Sequence, residues 1–435
     1  MAPKIAIIGA GPGGCMLARL LHQSNAHIPV TIFEAEASVN YRSQGGTLDL
    51  RSSTGLAAIK EAGLWDEFQK YARYDGESLL VTDKNLVTWL RRSPRKNASD
   101  GKTPLQEAPE IDRKDLRKML MESLPEGAVR WGFKLSKVEQ SPAGIELHFA
   151  NGEVVGGFDL IVGCDGAFSK TRSFLSPEKP FYVGLGGWAL GIPDAVHTAP
   201  EVYKLVNRGS VFAYSDGKSL AIQQLSDESL HVSSYGSYPE DYTQSCGFDA
   251  QDLGAAKSAL KQALHEWSPQ LLDAVDKTQG AVAWRNLYQL PVGFTWPHRP
   301  GITLLGDAAH LMTPFSGIGV NTAFYDAMLL AQSITSHTVW ELEVKDANDA
   351  RTKEQLQADL DERIVEYENK MFEQAHKAQR HTAGSMNDML LTPGAPRTTI
   401  ESWILRHTKD DIPAWLYPIV STVVYVGYWV YKWFV

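Results

Sequence analysis

Short apolar runs alternate with helix-spaced segments from the start of the chain. Ile5 to Ile8 is uninterrupted apolar, Gly9 to Gly14 is a turn, Cys15 to Gln23 is helix-spaced, and Val30 to Phe33 is apolar again. This predicts a strand, helix, strand unit whose strands are parallel and buried on both faces. Gly45-Gly46 and a stretch from Leu48 to Ala62 follow, then a strand-like segment from Glu77 to Trp89 and a polar, Pro-bearing loop from Arg91 to Glu107. Asp112 to Leu124 is apolar at Leu116, Met119, Leu120 and Leu124 and stops at Pro125, which predicts an amphipathic helix. Strands are expected at Val129–Val138, Gly144–Phe149 and Phe158–Val162. Over residues 180–295 short alternating runs lie between Gly, Pro and Asp/Ser clusters, with one helical patch at Ala255–Glu266, so this region reads as a second, sheet-rich unit. Ile302–Leu305 returns to the buried-strand pattern, as if the first unit resumes after an insertion, and Trp340–Met371 reads as a long charged helix continuing through Arg380.

Composition narrows the class. The 435 residues suit two or three packed units, and a 43% share of hydrophobic residues supplies an ordinary globular core. Net charge is −9, from 51 acidic against 42 basic residues, with no basic block interleaved with aromatics, which argues against nucleic acid as a partner. The three cysteines, Cys15, Cys164 and Cys246, share no metal or disulfide spacing, and no His/Asp/Glu cluster has ligand spacing, so no metal site is expected. With no secretory pattern at the N-terminus, a reducing, cytoplasmic setting is the expectation.

Gly9-Ala10-Gly11-Pro12-Gly13-Gly14 is a GxGxxG sequence placed directly after a strand and at the mouth of a helix, with the small residue Ala18 four positions on. Gly9 permits the tight turn, Gly11 lets backbone approach a pyrophosphate, Gly14 lets helix meet strand, and the helix N-terminus favours the anion. Glu34 ends the second strand, placed to accept hydrogen bonds from an adenosine ribose. The fingerprint predicts a bound dinucleotide without separating FAD from NAD(P).

Two later motifs separate them. Asp159-Leu-Ile-Val-Gly-Cys-Asp165-Gly-Ala-Phe-Ser169 runs on to Arg172, and Gly306-Asp307-Ala-Ala-His310 continues through Pro314, Gly317, Gly319 and Asn321 to Asp326-Ala327. With the glycine fingerprint and Arg113 in Glu110-Ile-Asp-Arg113-Lys-Asp-Leu-Arg117, these resemble the FAD-dependent class A monooxygenases of the para-hydroxybenzoate hydroxylase fold, over residues 4–380. Gly45-Gly46-Thr-Leu-Asp49-Leu, the spacing from Gly306 to Pro314-Phe315, and Tyr367-Glu368 through Met371 further resemble the tetracycline-inactivating branch. The resemblance implies an α/β fold: a Rossmann-like FAD-binding domain with a parallel sheet (1–72, 108–178 and 296–395), an inserted sheet-rich substrate domain (73–107 and 179–295), C-terminal helices and an aromatic-rich tail (396–435). It also implies that Asp307 faces the ribityl hydroxyls, that Asp49, Arg113 and Asp165 belong to the flavin site, that Gly317 and Gly319 let backbone approach the flavin edge, and that Asn321 is a cap or ring contact. Arg42 resembles an NADPH-contacting position and His231 a substrate-facing one; Trp188 is the other substrate candidate, although its neighbourhood lacks the glutamine of that branch. His310 reads as a packed residue and Cys164 as a small core side chain.

The activity implied is hydroxylation of a planar aromatic or polycyclic natural product by FAD, NADPH or NADH, and O2 through a flavin C4a-hydroperoxide, with no catalytic side chain assigned. Three rival readings are a flavin halogenase, whose Trp-x-Trp-x-Ile-Pro segment is matched here only by Trp188-Ala-Leu-Gly-Ile-Pro193 without the middle Trp; a flavoprotein without turnover; and a membrane-associated epoxidase of terpenoid-type substrates. The last rests on the tail. Ile412 to Tyr431 carries no charged side chain and is rich in Trp and Tyr, with Pro413 and Pro418 in its first third. Packing on the enzyme or a partner subunit, membrane-surface contact through residues 412–435, and a membrane span all stay open at this level.

Overall fold

The computed structural model describes residues 2–24, 27–38, 45–93, 108–335, 353–409 and 412–435. Its centre is a five-stranded parallel sheet in the order Ile302–Leu304, Leu160–Gly163, Ile5–Ile8, Val30–Glu34, Val129–Trp131. Ile5 to Ile8 are at most 2% exposed because helices cover both faces, as the unbroken apolar run requires. The helix Pro12–Gln23 starts on proline, whose missing N–H costs nothing in a first turn, and buries Met16, Leu17, Leu20 and Leu21. It packs beside Gly319–Thr335, which buries Phe324, Leu330 and Ile334.

A second sheet of seven strands runs Gln279–Gln289, Phe181–Ile192, Leu230–Ser237, Lys218–Gln224, Ser210–Ser215, Leu79–Thr82, Thr88–Arg92. Every neighbour is antiparallel except Ser210–Ser215 with Leu79–Thr82. The segment expected as one strand over Glu77–Trp89 is therefore a hairpin, turned where Asp83 Oδ1 accepts from Asn85 and Val87 N–H, and it joins this sheet. One sheet face packs on the helices Pro200–Val206, Leu253–Ala263 and Pro269–Asp276 through Leu190, Ile192, Leu220, Ile222 and Val232. The other face meets the parallel-sheet half at one end and the C-terminal helices at the other, where Val81, Tyr214, Met386, Leu390 and Ile400 form a separate cluster. The strand expected over Val129–Val138 is broken at Gly132, φ +78°, into Val129–Trp131 and Leu135–Ser141. The long charged helix is described from Lys353 to Met386, past the expected end; its expected start at Trp340 lies outside the described residues.

Candidate active site

The parallel sheet delivers two glycine turns to one edge. At the first, Gly9 has φ +106°, and a Cβ there would sit 2.5 Å from the Cys164 carbonyl oxygen; one on Gly14 would sit 2.2 Å from the Gly9 oxygen. Both glycines are forced by backbone approach. A Cβ on Gly11 would meet nothing within 4 Å, so this residue faces open space. The helix Pro12–Gln23 has no side-chain cap at Gly11, which leaves its first-turn N–H groups and positive dipole end turned toward that space. Glu34 accepts from Ala10 N–H at 2.6 Å and Glu36 N–H at 2.8 Å, which fixes the carboxylate beside the turn with lone pairs to spare. Nearby, Arg117 pairs with Glu36 while its Nε and Nη1 are buried without a partner. An open anion cradle beside a fixed carboxylate and an orphaned guanidinium edge fits a dinucleotide.

The second turn follows Ile302–Leu304. Gly306 takes φ +62° and donates its N–H to Asp326 Oδ2 at 3.0 Å, the same oxygen that lies 2.6 Å from His310 Nε2. Arg172, 2% exposed, donates to the carbonyls of Ala167, Asp307 and Ala308. Held this way, the turn projects Asp307 outward. Its carboxyl has no hydrogen-bond partner among the described residues; it is exposed, yet desolvation pushes its pKa up against the pull of His310, Arg113 and Arg172. Arg113 behaves alike: exposed, unpaired, and pulled down by desolvation. A side chain that solvent reaches but protein surrounds lines a cleft. His231 stands in the same cleft, its Nδ1 3.2 Å from where a Gly45 Cβ would be, and its ring is kept neutral by burial and then by Arg113 and Arg285, which bring it down to about 4.

Other expected site residues brace this cleft. Asn321 donates to Asp49 O at 2.8 Å, and its Oδ1 accepts from Arg51 and Gly55 N–H, so it is the cap, with no donor or acceptor turned to a ring. Asp49 pairs with Arg51 and lies against Gly317, whose φ is +65°. Gly319 begins its helix with open space at its Cα. Asp165 is committed to capping Lys170–Leu175, accepting from the N–H groups of Lys170 and Thr171. Arg42 lies outside the described residues.

Trp188 requires a correction. It is 1% exposed on the sheet face opposite His231, with its indole N–H on Ala250 O and its ring edge-on to Trp284 at 4.6 Å. Residues two apart on a strand share a face, so Trp188, Leu190 and Ile192 fill the core while Gly187, Ala189 and Gly191 look into the cleft. Sequence reasoning missed Tyr235 and Arg285, which flank these small residues on the neighbouring strands. It also missed Phe315, edge-on to Tyr235 at 5.8 Å.

Comparison with known proteins agrees with this geometry. Residues 3–339 match the family model described as "FAD binding domain". The chain is 31% identical to monooxygenase penA of Penicillium thymicola over 87% of its own length and 93% of that protein's. It is 26% identical to 6-hydroxynicotinate 3-monooxygenase of Pseudomonas fluorescens, over 77% and 83%. Among solved structures, HpxO of Klebsiella pneumoniae complexed with FAD superposes with TM-score 0.71 at 18% identity, over 96% and 99% of the two chains. Tetracycline destructase Tet(51) does so with TM-score 0.64 at 15% identity, over 97% of each.

Proposed function

The chain belongs to the class A, FAD-dependent monooxygenases, and on that premise we propose that it transfers one oxygen atom of O2 to an electron-rich ring carbon of a planar aromatic or polycyclic small molecule, with NAD(P)H as reductant. The observation that carries this reading is one cleft, walled by the unpartnered side chains of Arg113, His231, Tyr235, Arg285 and Asp307 and floored by glycine and alanine. When bound, the flavin supplies electron transfer from NAD(P)H and the activation of O2.

The chain's own residues supply position and dryness. Gly11 and the uncapped helix end would take the pyrophosphate, Glu34 and Arg117 the adenosine end, Asp307 the ribityl hydroxyls, and Arg113 carbonyl or diphosphate oxygens. The seven-stranded sheet closes the far side and excludes water, which limits unproductive loss of reducing equivalents. His231, neutral at pH 7, both donates and accepts hydrogen bonds and adds no charge near the ring to be oxidised. The name of the hydroxynicotinate relative supports a small hydroxylated aromatic as the substrate type. A halogenase reading loses its only motif with Trp188 turned into the core. Purified holoenzyme with NADPH and a panel of aromatics under oxygen-18 gas is expected to yield a product heavier by one labelled oxygen. NADPH consumption with no label in any product refutes the reading.

The tail supports a second reading, contact with a membrane surface. Tyr417–Tyr431 is a 15-residue helix, and no described helix is long and apolar enough to cross a membrane. One side docks on the enzyme: the hydroxyls of Tyr428 and Tyr431 donate to Trp89 O and Thr88 O, and Arg397 donates to Lys432 O and Val435 O. The other side presents Ile419, Val423 and Val426 between Trp415, Trp429 and Trp433, which are 76%, 62% and 74% exposed. Aliphatic residues bracketed by indoles suit the headgroup boundary. Full-length enzyme is expected to co-sediment with phosphatidylcholine vesicles, and protein truncated after Thr408 to stay in the supernatant with its FAD. Equal sedimentation of the two removes this reading.

A further inference from the structure

The cleft face of the seven-stranded sheet can be read residue by residue from its register. Gly191 pairs with His231, which pairs with Gln223; Ala189 pairs with Ser233, which pairs with Ala221; Gly187 pairs with Arg285 on the other side. The central strand contributes only Gly187, Ala189 and Gly191 to this face, and Ser233 and Ala221 continue the same bare strip. A Cβ on Gly187 would fall 1.7 Å from Ser234 O, and one on Gly191 would meet nothing nearer than 3.9 Å. The strip is therefore a flat floor bounded by Tyr235 and His231 on one strand and Arg285 on another. Those strands stand about 10 Å apart across the central one, which admits the edge of a planar ring lying on the floor.

The polar groups around this floor are not equivalent. Asp307 and Arg113 oppose one another electrostatically at the glycine-turn side of the cleft. On the sheet side Arg285 follows Trp284, whose ring is in the opposite core, so alternation turns the guanidinium to the cleft. It has no ion pair and no hydrogen bond among the described residues, and its neighbours there are a neutral imidazole and a phenol, not a carboxylate. The influence of Arg285 on both His231 and Tyr235 agrees with this placement. An exposed Arg on an ordinary surface is met by water; one at the rim of a ring-sized trough offers a planar fork to an anionic oxygen.

We infer that Arg285 selects the substrate by charge, the enzyme taking a fused or single aromatic ring that carries an anionic oxygen, a carboxylate or an acidic phenolate, with the ring on the Gly187-Ala189-Gly191 floor and the anion on Arg285. This rests on the monooxygenase reading and names its substrate class. Tyr235 closes the ring edge opposite, and His231 holds a second polar substituent.

Binding to the holoenzyme, measured by calorimetry with 3-hydroxy-2-naphthoate and its uncharged carboxamide, tests the assignment. Wild type is expected to bind the acid about tenfold to a hundredfold tighter than the amide, the value of one charge-assisted hydrogen-bonded contact. Arg285→Gln is expected to erase the difference while leaving the amide unchanged, and Arg285→Lys to restore part of it. Equal affinity of wild type for both probes, weakening of both probes together in the Gln variant, or binding of neither overturns the assignment. The two levels separate cleanly. Oxygen-18 incorporation into a neutral aromatic with no anion preference leaves the activity standing and removes the role of Arg285, whereas anion preference without labelled product does the reverse.

Discussion

Asp307→Ala is expected to give a folded protein that purifies with less than about a tenth of the wild-type flavin, since losing even one hydrogen bond to a charged acceptor weakens binding about tenfold or more. The reason lies in how unevenly the Gly306–His310 turn is supported. Its backbone is held from behind by Arg172 on three carbonyls and by Asp326 on the Gly306 N–H, and none of these contacts involves the Asp307 side chain. That side chain makes no hydrogen bond to the described protein and stands in the cleft with its charge disfavoured by desolvation. Removing it takes away a desolvated carboxylate without opening a cavity, so unfolding free energy should move by no more than about 0.5 kcal/mol. What is lost is the acceptor for ligand hydroxyls. The ratio of flavin to protein absorbance, read beside a urea melt of the stripped proteins, separates the two effects. Full occupancy at unchanged stability refutes the role; low occupancy together with a large loss of stability shows that the residue supports the fold instead.

The glycine turn was legible because each of its requirements is local. Gly9 at φ +106° and Gly14 against the Gly9 oxygen tolerate no side chain, and both lie within six residues of chain between a strand and a helix of unmistakable pattern. The seven-stranded sheet was legible as strands but not as a surface. Which face of a strand meets the cleft depends on pairing between segments as far apart as Phe181–Ile192 and Gln279–Gln289, and no short window of sequence carries that register. Arg285 and Tyr235 were invisible for this reason. Trp188 is different, because the period of two in Trp188, Leu190 and Ile192 against Gly187, Ala189 and Gly191 already marks the first set as the core stripe. The tail lay between these cases. Its aromatic composition was plain, but the division of those aromatics into a docked side and an exposed one follows from the hairpin edge at Thr88–Arg92 that receives them.

Asp326→Ala is expected to be the most damaging single change in the flavin half, costing about 3 to 5 kcal/mol, the range for removing one partner of a buried charged pair. Asp326 is fully buried on Gly319–Thr335, and one of its oxygens serves both His310 Nε2 and the Gly306 N–H. Alanine would leave both donors without a partner, and His310 Nδ1 has none already. Burial disfavours charge on His310, but the Asp326 charge and its hydrogen bond outweigh burial and hold the imidazole above its ordinary value. A raised histidine contributes stability that is fully present below its unfolded value, roughly 6.5, and is lost as pH rises through the folded one. The deficit of Asp326→Ala relative to wild type should therefore be largest in mildly acidic buffer and shrink toward alkaline pH. Urea denaturation of both proteins across that range measures it, and a deficit that grows with pH overturns the ion-pair account. Flavin content should fall together with stability, because the turn that aims Asp307 loses its anchor, and added FAD should recover part of the lost stability by binding only the folded state. The contrast with Asp307→Ala is the decisive comparison. One residue meets the ligand and leaves the fold alone, whereas the other holds the fold that lets the first meet it.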